Sequence, residues 1–393
     1  MSHVAVMMMI PGLDRIGGAE RQAMLLAKGL RRRGWRMSMV ALSGSGGAAA
    51  AELRDAGVGF ASLEMRKGLA DPRGWIRFHR WLWRERPDVV HAHLPHAAWL
   101  ARWSRLSAPV PVVIDTLHSS YPGRLGGQLG YGCSRWLPDH VTAVSRATAA
   151  SHLAAGTVRE NNITVLSNGI DVDAWRPDAR ARAVARRELG LADEFLWLAV
   201  GRLDAVKDYP TLLKALAGTP ETARLLIAGI GPLETELVQL VARLGLERRV
   251  RFLGFEPKVE RWMQAADGFV LSSRHEGLPM VLLEAGASSL PVVATHVPGT
   301  REVIVNGETG WLARAGDACG LAELMTKLMS TPPEERRAAG ERARRRVTKE
   351  FALEKVLDRW EQLYGELLAR KSVRRPVRPA AREDLRRQSV ASA

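Results

Sequence analysis

The chain has few cysteines and lacks a long apolar run. Its 393 residues include only Cys133 and Cys319, which lie far apart in the sequence. Two isolated thiols provide neither a disulfide framework nor a zinc knuckle, a usage typical of a reducing compartment. No apolar run approaches the roughly 20 residues of a membrane-spanning helix. The first apolar segment, residues 4–10, is soon followed by Asp14 and lacks a cleavage site typical of a signal peptide. We therefore expect a cytoplasmic protein.

Positive charge is in excess. There are 57 lysines and arginines against 42 aspartates and glutamates, a formal net charge of +15. Residues 370–393 contribute eight basic residues against Glu383 and Asp384, with few large apolar side chains, a composition typical of a disordered basic tail. Such charge could bind nucleic acid, an anionic membrane surface or substrate phosphates. Because no nucleic-acid-binding motif accompanies it, we expect no nucleic-acid partner, and a peripheral membrane contact remains open.

The hydrophobic pattern predicts two α/β domains. The length suits two units of about 150–200 residues. In both halves short apolar runs alternate with amphipathic segments, which is typical of a doubly wound parallel sheet covered on both faces. Strands are predicted at 4–10, 37–42, 58–61, 89–92, 112–116, 140–143 and 163–166, then at 195–200, 224–228, 250–253, 268–271 and 291–294. Helices are predicted at 19–33, 72–86, 96–106 and 145–155.

Two carboxylates stand eight positions apart around a turn. Glu276 and Glu284 flank a Gly-Leu-Pro turn that leads from an apolar strand into a helix beginning near Met280. The helix N-terminus directs free N–H groups and a positive dipole end at the end of the strand. A carboxylate accepts two sugar hydroxyls side by side. The pair therefore predicts a site for a ligand about as long as a nucleotide sugar; the alternative is an ordinary turn with two solvated acids.

A second strand end carries two cations. Residues 199–209, AVGRLDAVKDY, place Gly201, Arg202 and Lys207 on a loop before a helix. A planar guanidinium and an ammonium five residues apart can bind a diphosphate, the first as a fork and the second as a point charge. The alternative is a pair of surface cations without a ligand.

Both segments resemble signature segments of glycosyltransferase family 4, the retaining GT-B transferases that use nucleotide-diphosphate sugars. Residues 276–303 resemble the family's E-x₇-E region, and residues 201–208 resemble its phosphate-binding loop almost residue for residue. The resemblance extends over about residues 4–366. It implies two Rossmann-like domains facing each other across a cleft: an acceptor-side domain at 1–172, a linker at 173–189 and a nucleotide-sugar-binding domain at 190–350. A helix at 351–369 is expected to cross back to the first domain, before the basic tail.

The resemblance also implies individual roles. His118 would contact the donor sugar, Arg202 and Lys207 the leaving diphosphate, and Glu276 the sugar ring, so these four are the predicted catalytic residues. The predicted donor-binding residues are Gly17, Gly18, Gly201, Gly231, Gly277, Leu278 and Glu284, the last of which would hold the ribose. Gly17 and Gly18 resemble the family's loop that closes over the donor, not the G-x-G-x-x-G of dinucleotide enzymes.

Two clusters could suggest a metal. His91 and His93 share one face of a strand, with His96 close behind, yet the family often has H-x-H here and a polar wall of the cleft explains the pair. The aspartates of Asp171-Val172-Asp173 have the spacing of a D-x-D metal motif, but they lie in a segment that resembles the family's interdomain crossover. We expect no metal and no cofactor besides the nucleotide-sugar co-substrate.

The sequence thus predicts a retaining glycosyltransferase that moves a sugar from a UDP- or GDP-sugar to a glycan or lipid-linked acceptor. The alternatives are another GT-B activity on nucleotide sugars, such as an epimerase or a glycan synthase, and a non-catalytic nucleotide-sugar-binding partner. The aromatic and basic segment at 73–86 is interpreted as a helix packed on the first sheet, with a membrane-inserted helix as the alternative.

Overall fold

The computed structural model describes residues 4–14, 16–66, 71–121 and 125–372. Two parallel sheets organise these residues. The first has seven strands in the order β3-β2-β1-β4-β5-β6-β7, and the second has six in the order β10-β9-β8-β11-β12-β13. The strands of the first are β1 (Ala5–Ile10), β2 (Arg36–Ala41), β3 (Gly59–Ser62), β4 (Val89–His93), β5 (Val112–Leu117), β6 (His140–Ala143) and β7 (Ile163–Val165). Those of the second are β8 (Phe195–Val200), β9 (Ala223–Ala228), β10 (Val250–Gly254), β11 (Gly268–Leu271), β12 (Val292–Thr295) and β13 (Trp311–Ala313).

Helices cover both faces of each sheet. Around the first sheet they are α1 (Gly18–Arg32), α2 (Gly47–Asp55), α3 (Pro72–Glu85), α4 (Pro95–Ser104), α5 (Leu125–Cys133) and α6 (Arg146–Ala154). Beyond it follow α7 (Ala179–Glu188), α8 (Tyr209–Ala217), α9 (Glu234–Arg243), α10 (Glu260–Ala265), α11 (Met280–Ala287), α12 (Pro298–Val303), α13 (Ala318–Ser330), α14 (Pro333–Phe351) and α15 (Leu353–Ser372). This arrangement of parallel strands and crossover helices confirms the predicted pair of doubly wound domains.

The strands are apolar on both faces because helices cover them on both sides. All six residues of β1, AVMMMI, are buried. One face of the first sheet packs on α1 and α15, while the other packs on α3, α4 and the segments that follow β5. Every predicted strand coincides with an observed one to within one residue at each end, and the four helices predicted in the first half coincide to within two.

The last helix returns to the first domain, as expected. α14 packs on α11 in the second domain and ends at Phe351. Ala352 breaks the helix in an extended conformation and pairs with Ile170, so both chain segments that connect the domains meet there. α15 then buries Leu357, Trp360 and Tyr364 in the core of the first domain beside α1.

Two segments differ from a simple domain-linker-tail division. Within the predicted linker, α7 packs against α10, and Arg186 bonds the carboxylate of Asp267 at 2.8 Å. α15 extends to Ser372, so residues 370–372 of the predicted tail are helical; residues 373–393 lie outside the described residues. In the described part of the chain, no helix combines the length and apolar character needed to cross a bilayer.

Candidate active site

The two predicted loops of the second domain lie side by side. β8 and β11 are neighbours at the point where the strand order of the second sheet reverses, so the loops that follow them flank one crevice. Ser272 Oγ donates to the carbonyl of Lys207 at 2.8 Å, and the backbone N–H of Arg274 donates to that of Val206 at 2.8 Å. Arg274 Nε also bonds Asp208 Oδ2 at 2.9 Å. These bonds fix the cation loop against the carboxylate loop.

Lys207 and Glu276 form an ion pair in this crevice. Lys207 Nζ lies 2.6 Å from Glu276 Oε1, and Ser273 Oγ donates to the same oxygen at 2.6 Å. The two charged side chains are 20% and 10% exposed, so the pair is partly shielded from water. Both groups can therefore face one ligand, with the ammonium on a phosphate and the carboxylate on sugar hydroxyls.

Arg202 lies on the same loop and is paired with Asp204. Its side chain is 73% exposed, and its guanidinium bonds Asp204 Oδ2, at 2.6 Å from Nε. Glu20 of the first domain has its pKa raised mainly by burial, and the charge of Arg202 opposes that shift. Arg202 thus lies near the glycine loop of the first domain, with Nε and Nη2 of its guanidinium on Asp204.

Glu284 is paired across the two domains. It lies on α11 and is 3% exposed, and its Oε1 is 3.1 Å from Arg21 Nη1 on α1. Burial raises the pKa of Glu284, while Arg21 acts in the opposite direction. The first turn of α1 is therefore in direct contact with the predicted ribose-binding carboxylate.

The glycine loop opens α1 at this contact. Gly17 and Gly18 are exposed, and the N–H of Gly17 donates to Glu20 Oε2 at 3.1 Å. Since Glu20 is the third residue of the helix, this bond is one half of a capping box. A Cβ on Gly18 would lie 3.5 Å from Met280 Cγ, so the loop approaches the N-terminus of α11.

Gly277 lies where the carboxylate loop approaches the first domain closely. A Cβ added there would lie 2.1 Å from the carbonyl oxygen of His118, which is too close for any side chain to be accommodated. Ser120 Oγ also donates to the carbonyl of Glu276 at 3.0 Å. Leu278 buries its side chain, and among the described residues neither Gly277 nor Leu278 donates its backbone N–H to a protein acceptor.

Glycines allow the loop after β8 and the loop after β9 to pack closely against each other. A Cβ on Gly229, whose φ is 151°, would lie 1.9 Å from the carbonyl oxygen of Gly201. One on Gly231 would lie 2.3 Å from the carbonyl oxygen of Leu203. These contacts show why glycine is needed there, and the donor-binding roles of Gly201 and Gly231 stay predictions.

Two family models together span most of the chain. The model for glycosyl transferases group 1 matches residues 182–346, and that for glycosyltransferase family 4 matches residues 16–174. The N-acetyl-alpha-D-glucosaminyl L-malate synthase of Bacillus anthracis is 32% identical over 299 residues, covering 72% of this chain and 76% of that protein. The chain belongs to glycosyltransferase family 4. It is an enzyme of the GT-B type that acts on nucleotide sugars.

Other members of this family and fold show similar coverage. The glycogen synthase of Mycobacterium tuberculosis (strain H37Rv) is 30% identical over 337 residues, 80% of this chain and 74% of that protein. The lipopolysaccharide core biosynthesis glycosyltransferase LpsE of Rhizobium meliloti is 29% identical over 352 residues, 88% and 95% of the two chains. The crystal structure of Anabaena HepE with UDP and glucose is 22% identical, with a TM-score of 0.84 and coverage of 93% and 100%. This last likeness shows the GT-B fold.

Three histidines connect the cleft of this glycosyltransferase to its core. His118 Nε2 lies 2.9 Å from His93 Nδ1, so one ring donates to the other. His93 stacks on His91 at 4.1 Å between ring centroids. Burial lowers the pKa of His118 to about 4 and that of His93 well below its ordinary value, so both rings are neutral near pH 7. His118 can therefore form a hydrogen bond to a donor sugar as an uncharged ring.

His91 is not part of a polar wall, which corrects the interpretation of the H-x-H pair for this residue, and His93 is only 1% exposed. The ring of His91 is fully buried and bonds Tyr364 Oη at 2.7 Å and Thr116 Oγ1 at 2.6 Å. It faces this way because α15 covers the face of β4 that the sequence pattern left open. His96 is exposed and apart from this pair.

The aspartates of the crossover segment have local partners. Asp171 Oδ1 accepts the N–H groups of Asp173 and Ala174, and Asp173 pairs with Arg176 at 2.8 Å. Among the described residues there is no group of three or more His, Cys, Asp or Glu side chains placed to hold a metal ion.

Two contacts of the predicted residues were missed from the sequence. The first is the contact of Arg21, which lies three residues after Gly18. The second is the contact of Ser273, which precedes Glu276 by three residues. The second has a local signal, since a hydroxyl three positions before a carboxylate in a loop is within reach. The first has none, because Arg21 and Glu284 are 263 positions apart.

Proposed function

We propose that this enzyme is a retaining glycosyltransferase that transfers a hexose-type sugar from a UDP- or GDP-sugar to a glycan or lipid-linked acceptor, in the synthesis of cell-surface polysaccharide or glycolipid. The observation that supports it most is the Lys207–Glu276 pair at the switch point of the second sheet, beside the backbone amides of Gly277 and Leu278. The relative named for lipopolysaccharide core biosynthesis favours this acceptor class.

The roles that we propose for the site residues follow from their charges. Lys207 stabilises the negative charge that develops on the diphosphate as it leaves, and Arg202 joins it. Glu276 orients the sugar through its hydroxyls, and Glu284 holds the ribose. His118 and the Gly17-Gly18 loop close the cleft from the first domain.

Retention of configuration does not require a carboxylate nucleophile here. Glu276 Oε1 is already bonded to Lys207 Nζ and Ser273 Oγ, so this oxygen is engaged within the protein. We favour attack by the acceptor hydroxyl on the same face from which the diphosphate departs: the new glycosidic C–O bond forms, the bond to the diphosphate breaks, and the hydroxyl proton passes to a diphosphate oxygen.

A glycan synthase is the second candidate. The 30% identity to a glycogen synthase over 337 residues favours it, since such an enzyme would use the same donor site with a growing polymer as acceptor. The two differ only in the acceptor, so the donor chemistry below applies to both.

A donor screen tests the function. The full chain is incubated with UDP- and GDP-sugars, with and without lipid-linked and oligosaccharide acceptors, and release of nucleotide diphosphate is followed together with the anomeric configuration of the product. We expect slow release of nucleotide diphosphate from the donor alone and faster release when an acceptor is present. The new linkage should have the same anomeric configuration as the donor. Binding without release of nucleotide diphosphate would instead support a non-catalytic binder, and inversion would exclude the proposed mechanism.

Activity is expected to survive EDTA. Lys207, Arg202 and the N-terminus of α11 supply positive charge at the diphosphate, and Asp171 and Asp173 are engaged in their own turn. The measurement is turnover in excess EDTA, compared with turnover after addition of Mg²⁺ or Mn²⁺. Complete loss with rescue by either ion would refute this expectation.

We also propose a peripheral contact with an anionic membrane. Beyond Ser372 the chain has six arginines against Glu383 and Asp384. α3 buries Gly74, Phe78 and Leu82 on the sheet, which supports the packed-helix interpretation, yet it leaves Ile76 and Trp83 52% and 50% exposed on a face that also carries arginines. Exposed apolar groups among arginines suit a bilayer interface.

Vesicle binding should weaken in two variants. Ending the chain at Ser372 removes basic residues worth at most about 1 kcal/mol each near an anionic surface, and Trp83→Ser removes an interfacial side chain. We expect both to sediment less with phosphatidylglycerol vesicles at low salt and to keep donor hydrolysis. Val238→Ser, an equally exposed apolar position in the second domain, is the control. If both variants sediment like the wild type, the contact lies elsewhere or does not exist.

A further inference from the structure

Glu284 depends on the other domain for its charge. Its carboxylate is almost completely buried, and Arg21 is its only hydrogen-bonding partner among the described residues, through Nη1 and Oε1 at 3.1 Å. Arg21 belongs to the first domain and Glu284 to the second. Without a cation, a carboxylate in such a position tends to take up a proton instead of remaining charged.

Protonation would change what Glu284 can bind. An ionised carboxylate accepts two hydroxyl donors with its two oxygens, whereas a protonated one becomes a donor through one of them. Two adjacent ribose hydroxyls need an acceptor pair. The charge on Glu284 is therefore a condition for the role proposed for it.

The geometry leaves room for a ligand beside the ion pair. Arg21 occupies only Oε1, and Oε2 accepts no hydrogen bond from the described residues. The guanidinium side chain remains 36% exposed, so the pair borders open space. At the same place the glycine loop approaches the N-terminus of α11, with Gly18 close to Met280.

We infer that Arg21 is a positioning residue of the donor site: it keeps Glu284 ionised and directed at the nucleotide, so that the ribose site is complete only while α1 and α11 are in contact. This inference rests on the proposed function, because it assigns the nucleotide to Glu284. It adds that donor affinity is coupled to the contact between the domains.

Other charged groups around α11 do not replace Arg21. Glu260 on α10 raises the pKa of Glu284 further. Arg344 on α14 donates to the carbonyls of Ala287 and Val172, and Glu302 on α12 accepts the N–H of Ala147. On α1, Glu20 is engaged with Gly17. Arg21 is thus the one cation in this part of the described structure that touches the carboxylate.

The test is titration calorimetry with UDP and with GDP across pH 6 to 9, using the full chain. Arg21→Met should weaken binding of the preferred nucleotide roughly 10- to 100-fold near pH 7, the range for loss of a hydrogen bond to a charged group. Because the ionised form of Glu284 binds, affinity is lost as pH falls through its pKa. Without Arg21 that pKa rises further, so the loss should grow toward pH 6 and shrink toward pH 9.

Three further variants separate positioning from a structural role. Arg21→Lys should restore much of the affinity, because it keeps the cation. Glu284→Gln should weaken binding with little pH dependence, and Arg21→Met added to it should cost nothing more. Arg32→Met, on the same helix and paired only at the surface with Glu354, should bind like the wild type. In steady-state kinetics Arg21→Met should raise the donor KM with little change in kcat.

The outcomes are distinct. If Arg21→Met binds nucleotide as well as the wild type or more tightly, or if its effect adds fully to that of Glu284→Gln, the inference is wrong while the proposed function stands. If the wild-type chain binds neither nucleotide, the proposed function is wrong, and the role of Arg21 with it.

Discussion

The Lys207→Ala variant is expected to lose a factor of about 10² to 10³ in turnover, with a much smaller change in donor affinity. Lys207 is held by the bonds between its loop and the strand end at Ser272, so its ammonium is fixed before the donor arrives. A fixed cation contributes most where negative charge increases, which is on the diphosphate as the glycosidic bond to it breaks. The measurement is kcat and KM for the donor, with acceptor at saturation.

The Lys207→Ala variant also tests the ion pair between Lys207 and Glu276. Removal of Lys207 leaves the partly buried carboxylate with Ser273 as its only partner among the described residues, so the sugar-binding group is disturbed as well. Lys214→Ala, at an exposed position of the following helix, is the matched control and should keep full activity. Arg202→Ala should lower turnover in the same way. Near-normal turnover in either Lys207→Ala or Arg202→Ala at saturating donor would show that the proposed diphosphate contacts are wrong.

Much of the fold could be predicted because its strands are apolar on both faces and short. Each such run stands out between amphipathic segments, and the predicted strands match the observed ones closely. Several elements gave no comparable signal, among them α2, α7 and β13. α2 begins with Gly47 and a run of alanines that resembles a loop, α7 is rich in arginine, and β13 has only three residues.

The parts of the site that lie within one domain could also be predicted. Lys207 and Glu276 follow strands that the pattern located, and neighbouring parallel strands bring such loops together. Contacts between domains could not, because they depend on how the two sheets face each other. The pairing of Arg21 with Glu284 belongs to this second group. The burial of His91 has another cause, because its partner Tyr364 lies on α15, 273 positions further along the chain.

A large loss of stability is expected when Arg102 is replaced by Met. Arg102 on α4 and Asp115 on β5 are fully buried, with Nε and Oδ2 2.5 Å apart. The guanidinium also donates to Ser134 Oγ at 3.0 Å and stacks on the ring of Tyr131 at 4.1 Å. Removal of one partner leaves an uncompensated buried charge, which costs about 3–5 kcal/mol in free energy of unfolding. Urea unfolding followed by tryptophan fluorescence measures this loss.

The reason for the loss can be tested with a second change. In Arg102→Met with Asp115→Leu no buried charge remains, so most of the lost free energy of unfolding should return, since an apolar pair of similar volume often replaces a buried ion pair without loss. Arg80→Met on the exposed face of α3 is the control and should stay within about 0.5 kcal/mol of the wild type. Because Asp115 lies on β5 three residues before His118, the single variant should also disturb the wall of the cleft. A double variant as unstable as the single one would mean that Arg102 contributes through its contacts with Tyr131 and Ser134, and that its charge is not the cause.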